Sequence, residues 1–376
     1  MIYFDNAATT AVDPRIADTV RDILVNHWGN VSSLHHLGVE AEKHLEKSRH
    51  TIARSLGVDD KTIIFTSCGS ESNNMAIHNA LVQCRSEKKN VVMSPIEHSS
   101  IFNLKKHLED RGVEVRFLPV NEVGVVHPED LASCVDENTA IVCVMFVNNE
   151  LGTIEPIQEL AKKTKEINPH ALFHVDGVQG YGKVEINLGN SEIDSFSCSG
   201  HKIHAPKGVG FLYIRKGMDF EPLMIGGGQE FGIRPGTENV AYIAALAQAY
   251  ELMQEPHRVE EIYRHAMERV DRMKGVRLNS PREGASPYII NIGVKGIKSE
   301  VILHMMEEED MYLSAASACS KNARSHVLEA VHVPEEYIDG CLRISFQRMN
   351  TLEEVDPFFD KLEEKIEEVR AITGRR

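Results

Sequence analysis

The order of hydrophobic and polar positions predicts strands that alternate with helices over most of this chain. From Lys61 onward, short apolar runs are separated by longer segments in which apolar residues recur every three or four positions. This alternation is typical of a mainly parallel sheet that is covered by helices on both faces. The predicted strands lie at residues 62–66, 90–94, 140–147, 171–175, 195–199 and 209–214. The predicted fold class is therefore α/β.

The two ends of the chain have a different pattern. Residues 1–13 read as an extended arm, after which Pro14 opens a helix that runs to residue 26. Further helices are predicted at 39–56, 239–253, 259–273, 298–310 and 351–371, and further strands at 288–294 and 342–346. We expect a large domain at residues 14–250 and a smaller α+β domain at 251–376, to which the N-terminal arm belongs.

Polar side chains follow four successive strands at the point where each strand is predicted to end. They are His98, Asn149, Asp176 with Gln179, and Lys202. Because the carboxyl ends of parallel strands meet at one edge of a sheet, we expect these side chains to converge on one crevice. A carboxylate for a ring nitrogen, an amide for a ring oxygen and a lysine for a Schiff base are the groups that pyridoxal phosphate (PLP) requires. The sequence therefore predicts a PLP site, in which Asp176 keeps the pyridine nitrogen protonated.

Lys202 has two interpretations when it is considered alone. A neutral lysine held among donors can form a Schiff base, whereas a surface lysine beside a turn only keeps a loop soluble. Ser199 and His201 flank Lys202 with donors that suit a phosphate. Gly69 and Ser70 stand at a predicted helix start whose backbone N–H groups can hold an anion, although an ordinary helix cap explains them equally well. The other strand-end residues favour the cofactor site.

Two later segments add candidate chemistry. The stretch 224–237 is dense in glycine, which permits close approach to a ligand or a neighbouring subunit, while a long surface loop is the alternative. Cys319 lies among small polar residues that suggest an exposed loop. It is therefore the best candidate for a reactive thiol.

Composition excludes several classes of function. With 376 residues, 42% of them hydrophobic, the chain can bury a large core. A net charge of −15 argues against nucleic acid or an anionic membrane as a main partner. The seven cysteines lack CxxC spacing, and the histidines at 27, 35 and 36 lack a cysteine or carboxylate cluster, so no disulfide framework or metal site is expected. Without a signal-like N-terminus or an apolar run of membrane-spanning length, a reduced, cytoplasmic location is expected.

Several motifs then occur in a fixed order along the chain. They are Ser199-Gly200-His201-Lys202, Pro206-Lys207-Gly208, Gly226-Gly227-Gly228-Gln229-Glu230 and Ser317-Ala318-Cys319. Together they resemble the NifS/IscS-type cysteine desulfurases, which are PLP enzymes of the class V aminotransferase group with fold type I. The resemblance covers nearly the whole chain, from Asp5-Asn6-Ala7-Ala8-Thr9-Thr10 to Leu342-Arg343-Ile344-Ser345.

The resemblance implies how the cofactor would be held. Lys202 would form a Schiff base with PLP, His98 would stack on the ring, and Asp176 would pair with the pyridine nitrogen. Gln179 would bond the ring oxygen. The residues that the resemblance assigns to the phosphate are Gly69, Ser70, Ser199 and His201, together with Thr237 from the second subunit of a homodimer.

The resemblance also implies a reaction. Asn149, which also belongs to the implied cofactor site, and Arg343 would bind the carboxylate of L-cysteine, and Lys202 would take the Cα proton. The Cys319 thiolate, activated by His98, would attack the substrate sulfur and leave L-alanine and a persulfide. The persulfide sulfur would pass to a protein acceptor for iron–sulfur cluster assembly or for thiolation of tRNA or thiamin, without direct contact of this chain with nucleic acid.

The chain departs from the family pattern at three places. Ala205 replaces the usual glycine before Pro-Lys-Gly, and Phe231 replaces the arginine that usually follows Gln-Glu. Ala315 and Ala316 replace the usual Ser/Gly pair, and the segment after Cys319 is about two residues shorter than is usual in the family. Two alternatives therefore stand beside the desulfurase: a selenocysteine lyase or other class V enzyme, and a sulfur-relay scaffold with weak catalysis.

Overall fold

The computed structural model describes residues 1–315 and 324–373, and its elements follow the predicted alternation. The strands are β1 (Ile2–Tyr3), β2 (Ile63–Thr66), β3 (Asn90–Met93), β4 (Glu114–Phe117), β5 (Thr139–Cys143), β6 (Leu172–Asp176), β7 (Ser195–Ser199), β8 (Gly210–Ile214), β9 (Val276–Leu278), β10 (Ile289–Val294), β11 (Met311–Tyr312), β12 (Ser314–Ala315) and β13 (Cys341–Ser345). The helices are α1 (Pro14–Asn26), α2 (His36–Leu56), α3 (Gly69–Gln83), α4 (Ser99–Phe102), α5 (Leu104–Glu109), α6 (Ile157–Ile167), α7 (Val240–Met253), α8 (Val259–Val270), α9 (Ser299–Glu307), α10 (His326–Ala330), α11 (Glu335–Ile338) and α12 (Val355–Thr373).

The large sheet has seven strands in the order β2-β8-β7-β6-β5-β3-β4. Strand β8 pairs antiparallel with β2 and β7, and the other neighbours pair in parallel. Every residue of β5 and β7 is buried, as expected for central strands covered by helices. The α/β fold class with a mainly parallel mixed sheet is confirmed.

The second sheet is antiparallel, with the strand order β12-β13-β10-β9. The N-terminal arm joins this part of the protein, because Ser345 N–H donates to the carbonyl oxygen of Phe4 over 2.7 Å. The Phe4 ring also packs 4.9 Å from the ring of Phe346, centroid to centroid. The arm and the second sheet thus lie together, while the domain limits at residue 250 stay a prediction.

Helix ends follow local sequence signals, and strand ends follow the neighbouring strands. Helix α1 begins where Asp13 Oδ1 accepts from Arg15 N–H over 3.0 Å, and α2 ends at Gly57, whose φ of 69° suits glycine. Strand β5 ends at Cys143, four residues earlier than predicted, because its neighbour β3 already ends at Met93. Among the described residues, no helix is both long and apolar enough to cross a bilayer.

A buried ion pair fixes the glycine-rich loop to the large sheet. Both terminal nitrogens of Arg49 on α2 donate to the Glu230 carboxylate over 2.9 Å, and Glu230 also accepts from Phe65 N–H over 2.8 Å. The Arg49 guanidinium lies 4.9 Å from the Phe65 ring centroid and 5.0 Å from that of Phe231. Phe231, which replaces the usual arginine, therefore packs on a buried arginine of its own chain.

Replacing Glu230 by alanine is expected to lower the free energy of unfolding by about 3–5 kcal/mol, because Arg49 would stay buried without its counter-charge. Glu46→Ala is the matched control, since Glu46 also lies 3.4 Å from Arg49 but its side chain is 55% exposed. Exposed ion pairs contribute about 1 kcal/mol or less. Urea unfolding followed by circular dichroism measures both variants, and equal losses would contradict this prediction.

Candidate active site

Lys202 lies in a short 3₁₀ turn, Gly200–Lys202, directly after the carboxyl end of β7. Its Nζ donates to the carbonyl oxygens of Ala7 and Ala8 over 2.8 and 2.7 Å. The amine therefore points toward the N-terminal arm and the sheet edge, where the sequence places the other candidates.

Gln179 reaches the same carbonyl group as Lys202. Its Nε2 donates to Ala7 O over 2.9 Å, and its Oε1 accepts from Lys183 Nζ over 3.0 Å. Burial, with the nearby charge of Lys202 as the next cause, lowers the pKa of Lys183 to about 7. Lys183 thus fixes which end of the Gln179 amide faces the site.

Asp176 and His98 lie close enough for their charges to interact. Asp176 ends β6 and is 3% exposed, and its Oδ1 accepts from Val178 N–H over 3.0 Å. Burial lowers the pKa of His98, and the charge of Asp176 opposes that shift while the charge of Lys202 adds to it. The carboxylate, the imidazole and the lysine amine therefore converge, as predicted.

A second group of residues surrounds the first turn of α3. Gly69 begins this helix, and among the described side chains none caps its N-terminus. A Cβ at Gly69 would lie 2.6 Å from a methyl carbon of Val178 and 3.7 Å from the Cβ of Ser199, so these residues approach closely. Ser70 is exposed in the same turn. Backbone N–H groups that no described side chain caps are suited to bind an anion.

His201 joins Lys202 to the N-terminal arm. Its Nδ1 lies 3.1 Å from Thr9 Oγ1, and its backbone oxygen accepts from Thr10 Oγ1 over 2.9 Å. Burial, followed by the charge of Lys202, lowers the pKa of His201 to about 4. The ring is therefore neutral at neutral pH and acts as a hydrogen-bonding group.

Arg343 on β13 brings the second sheet to the site. It donates to Asn149 O over 3.0 Å and to Asp5 Oδ1 over 2.9 Å. Its Nε is buried and has no hydrogen-bond partner among the described residues. The arginine thus has one unused donor beside Asn149.

Two candidates are not brought to this centre by the described contacts. Thr237 is exposed and lines a cleft of about 210 Å³ with Ser67 and Gly208. Cys319 lies outside the described residues. The roles of all these residues stay predictions.

Sequence reasoning missed the supporting residues Asn73, Ser100 and Lys183, and the carbonyl groups of the N-terminal arm. The signal was available, because Asn73 stands four positions before Ile77 and seven before Ala80 on the buried face of α3. A polar residue within such a face needs hydrogen-bond partners inside the protein.

The comparisons with known proteins find relatives that match nearly the whole chain. The family model described as aminotransferase class-V matches residues 2–358. A cysteine desulfurase IscS from Dictyoglomus turgidum is 39% identical, over 99% of this chain and 96% of its own length. Among solved structures, a NifS-like protein matches with a TM-score of 0.91 and 36% identity, over 97% of this chain and 99% of its own. A structure titled "SspA in complex with cysteine" matches at 0.83 and 30%, over 93% and 100%.

The chain therefore belongs to the class V aminotransferase family. Within that family it is similar to proteins that are named cysteine desulfurases, so the resemblance seen in the sequence is confirmed. PLP is the cofactor of this family. The residues present fit it, because an uncapped helix N-terminus at Gly69 faces Ser199 and a carboxylate, an amide and a lysine amine lie at one sheet edge.

The chain that follows residues 316–323 is tied to the same site. Ser325 caps α10 and donates through Oγ to Glu150 Oε2 over 2.6 Å. His326 stacks on Phe102 with the ring centroids 3.8 Å apart, and its Nε2 lies 2.9 Å from the carbonyl oxygen of Glu97. Burial raises the pKa of Glu150 to about 7, against the hydrogen bond from Ser325. These contacts lie beside Asn149 and His98.

Replacing Glu150 by glutamine is expected to change how stability depends on pH. The folded pKa of about 7 lies above the usual 4.5, so this carboxyl stabilises the fold when it is protonated, and that contribution is lost as the pH rises through 7. Glutamine keeps an acceptor for Ser325 and does not titrate. The free energy of unfolding of the variant relative to the parent should therefore rise by on the order of 3 kcal/mol between about pH 5 and 8. Urea titrations at each pH test this, and a constant difference would contradict it.

Proposed function

We propose that this chain is a PLP-dependent cysteine desulfurase that releases L-alanine from L-cysteine and leaves a persulfide on Cys319. The observation that carries the proposal is the shared carbonyl of Ala7, to which both Lys202 and Gln179 donate, beside Asp176 and His98. This set contains the lysine, amide, carboxylate and imidazole that PLP chemistry uses. The similarity to proteins named cysteine desulfurase supports the choice of reaction.

When it is bound, PLP stabilises the negative charge that develops on the substrate carbon. Lys202 carries the cofactor and, once released, accepts the proton from the substrate Cα. Its Nζ lies within hydrogen-bond distance of two carbonyl oxygens, which hold the amine in place. The lysine can therefore move a proton at a fixed position.

The remaining cofactor residues bind and orient. Asp176 would accept a hydrogen bond from the protonated ring nitrogen, Gln179 would donate its Nε2–H to the ring oxygen, and His98 would lie against the ring face. Lys183 holds the Gln179 amide in the orientation that this contact needs. The residues that bind the phosphate are Gly69, Ser70, Ser199 and His201, with Thr237 from a second copy of the chain.

Arg343 and Asn149 bind the substrate carboxylate. The buried Nε of Arg343 supplies a donor that no described residue takes, and hydrogen bonds from arginine to a carboxylate are among the strong ones in proteins. Asp5 already pairs with the other end of the guanidinium over 2.9 Å. The similar solved structure titled as a cysteine complex supports L-cysteine as the substrate.

The sulfur step involves one bond broken and one formed. The Cys319 thiolate attacks the substrate sulfur, so an S–S bond forms while the C–S bond breaks and its electron pair goes to the substrate β-carbon. Proton transfers to that carbon and to Cα then complete L-alanine. His98, whose pKa is lowered by burial, is neutral at neutral pH and acts in this step as a hydrogen-bonding group.

The persulfide sulfur then passes to a protein acceptor. The IscS name of the Dictyoglomus turgidum relative supports an acceptor in iron–sulfur cluster assembly, and an enzyme that thiolates tRNA or thiamin is the alternative acceptor. The six described cysteines are free thiols, which is typical of a reducing compartment and supports a cytoplasmic location.

The chain works as a homodimer in this proposal. Large apolar side chains are exposed on the glycine-rich loop, where Ile225 is 100% exposed and Phe231 is 52% exposed. A further exposed group, which includes Trp28 and Leu34, lies between α1 and α2. Exposed apolar groups of this kind typically mark protein–protein contacts.

Lys202→Ala is expected to lower the rate of alanine formation by at least about a hundredfold, because a positioned proton-transfer group contributes roughly 10²–10⁴-fold. It should also remove the visible absorbance of the lysine-bound cofactor. Lys207→Ala, an exposed lysine in the same turn, is the matched control and should keep both.

In the same assay, Cys319→Ala should keep the cofactor absorbance but form neither alanine nor the persulfide. Peptide mass spectrometry detects the persulfide. Alanine formed at the parent rate by this variant would contradict the role of Cys319.

Ile225→Asp is expected to dissociate the dimer, because it places a charge at the centre of an apolar contact. The variant should sediment as a monomer and bind PLP more weakly, since Thr237 of the second copy would be lost from the phosphate. Ile372→Asp is the control, because Ile372 is an isoleucine 84% exposed near the end of α12. Sedimentation of the parent as a monomer, or dissociation by both variants, would contradict the proposed interface.

A further inference from the structure

One buried amide connects the two sides of the candidate site. Asn73 on α3 is 1% exposed, and its Nδ2 donates to Asp176 Oδ2 and to Ser100 Oγ, each over 2.8 Å. Its Oδ1 lies 2.9 Å from Nε2 of His174, a fully buried ring on β6. All three sites of the amide therefore have partners.

The protons in this group can be placed from the donors and acceptors. Burial lowers the pKa of His174 to about 4, so its ring is neutral and carries one N–H at neutral pH. A reversed Asn73 amide would set Oδ1 against the Asp176 carboxylate, with no proton between two acceptors. Oδ1 therefore faces His174, whose Nε2–H donates to it, and His174 Nδ1 accepts from Ser195 Oγ over 2.8 Å.

The same reasoning fixes the proton of His98. Ser100 N–H donates to His98 Nδ1 over 3.2 Å, so Nδ1 is an acceptor. Ser100 Oγ accepts from Asn73, and its own proton can go to His98 Nδ1, 2.9 Å away. A neutral His98 that accepts at Nδ1 must carry its proton on Nε2.

We propose that Asn73 is a positioning residue that sets both the orientation of the Asp176 carboxylate and that of the Ser100 hydroxyl, which gives His98 Nδ1 a second donor beside the backbone N–H of Ser100. The Asn73 side chain thereby holds Asp176 and His98 in fixed positions relative to each other. Asp176 is the group that would face the PLP ring nitrogen, and His98 is the group that would lie against the ring plane. The consequence for cofactor binding rests on the proposed function. The tautomer of His98 does not, because it follows from contacts within the chain.

The main test compares Asn73→Leu with Asn79→Leu. Asn79 lies on the same helix, is equally buried, and accepts from Glu221 N–H over 2.8 Å, away from the site. Leucine has nearly the same shape as asparagine but no hydrogen-bonding group, so both variants disturb α3 alike. Only Asn73→Leu removes a donor from Asp176 and Ser100.

The first readout uses the full-length chain without cofactor. Nitrogen-15 NMR of histidine-labelled protein distinguishes the two tautomers, and the His98 signals are assigned by their loss in His98→Gln. The parent, Asn79→Leu and Asn73→Leu should all show His98 protonated on Nε2, because the backbone N–H of Ser100 still donates to Nδ1. Only Asn73→Leu should shift the Nδ1 signal, because its Ser100 hydroxyl is free to turn away from Nδ1. A His98 protonated on Nδ1 in the parent, or an Nδ1 signal that Asn73→Leu leaves unchanged, would overturn the proposal.

The second readout is the dissociation constant of PLP, measured by its visible absorbance. Asn73→Leu should raise it by roughly tenfold to a hundredfold, which is the usual effect of losing a buried hydrogen bond to a charged group, with no comparable change in Asn79→Leu. Equal dissociation constants for the two variants would overturn the assignment to Asp176. A parent that does not bind PLP would instead contradict the proposed function, and the NMR result would still decide the tautomer.

Ser100→Ala separates the two branches and serves if Asn73→Leu does not fold. It removes the hydroxyl between Asn73 and His98 but keeps the contact of Asn73 with Asp176. We expect a shifted His98 Nδ1 signal with a PLP dissociation constant close to that of the parent. An unchanged Nδ1 signal in Ser100→Ala would contradict the branch through Ser100.

Discussion

The carbonyl oxygen of Ala7 is the point on which the candidate site depends. Lys202 Nζ and Gln179 Nε2 both donate to it, over 2.8 and 2.9 Å. The arm reaches this position because Ala7 N–H donates to Ser345 Oγ over 2.9 Å and Asn6 donates to the Ser345 carbonyl over 3.0 Å. A segment at the start of the chain thus connects the lysine turn after β7 to β13, so the site requires both sheets.

Burial decides which groups at the site carry charge. It lowers the pKa of His174 and of His201 to about 4, and it lowers the pKa of His98, so these rings are neutral at neutral pH. A neutral imidazole has one donor and one acceptor, which gives each ring a defined direction. The Asp176 carboxylate, the Lys202 amine and the Arg343 guanidinium then face the positions where charge would be bound or would develop.

The sequence predicts well which polar residues follow the strands. It predicts poorly which other residues hold those side chains in place by hydrogen bonds. His98, Asp176 and Lys202 could be placed because each follows an apolar run, and runs in parallel strands finish at one edge. The role of Asn73 could not, because periodicity shows that it is buried but not that its partners lie far along the chain. Lys183 bonds Gln179 only four positions away, but it follows no predicted strand. Asn73 meets Asp176 across 103 positions. The resemblance to a family adds roles for single residues, but it names only groups that contact ligands.

The departure from the family pattern at Ala205 is absorbed by side-chain packing beside Gly200. The methyl group of Ala205 lies 3.0 Å from where a Cβ of Gly200 would be, with a methyl carbon of Val209 equally close and one of Leu246 at 3.2 Å. The space beside Gly200 is therefore already filled by side chains, so the turn that presents Lys202 is fixed on its inner face. The methyl group at residue 205, which replaces a hydrogen, tightens this contact. The direction of the Lys202 side chain is still set by its hydrogen bonds to the backbone oxygens of the N-terminal arm.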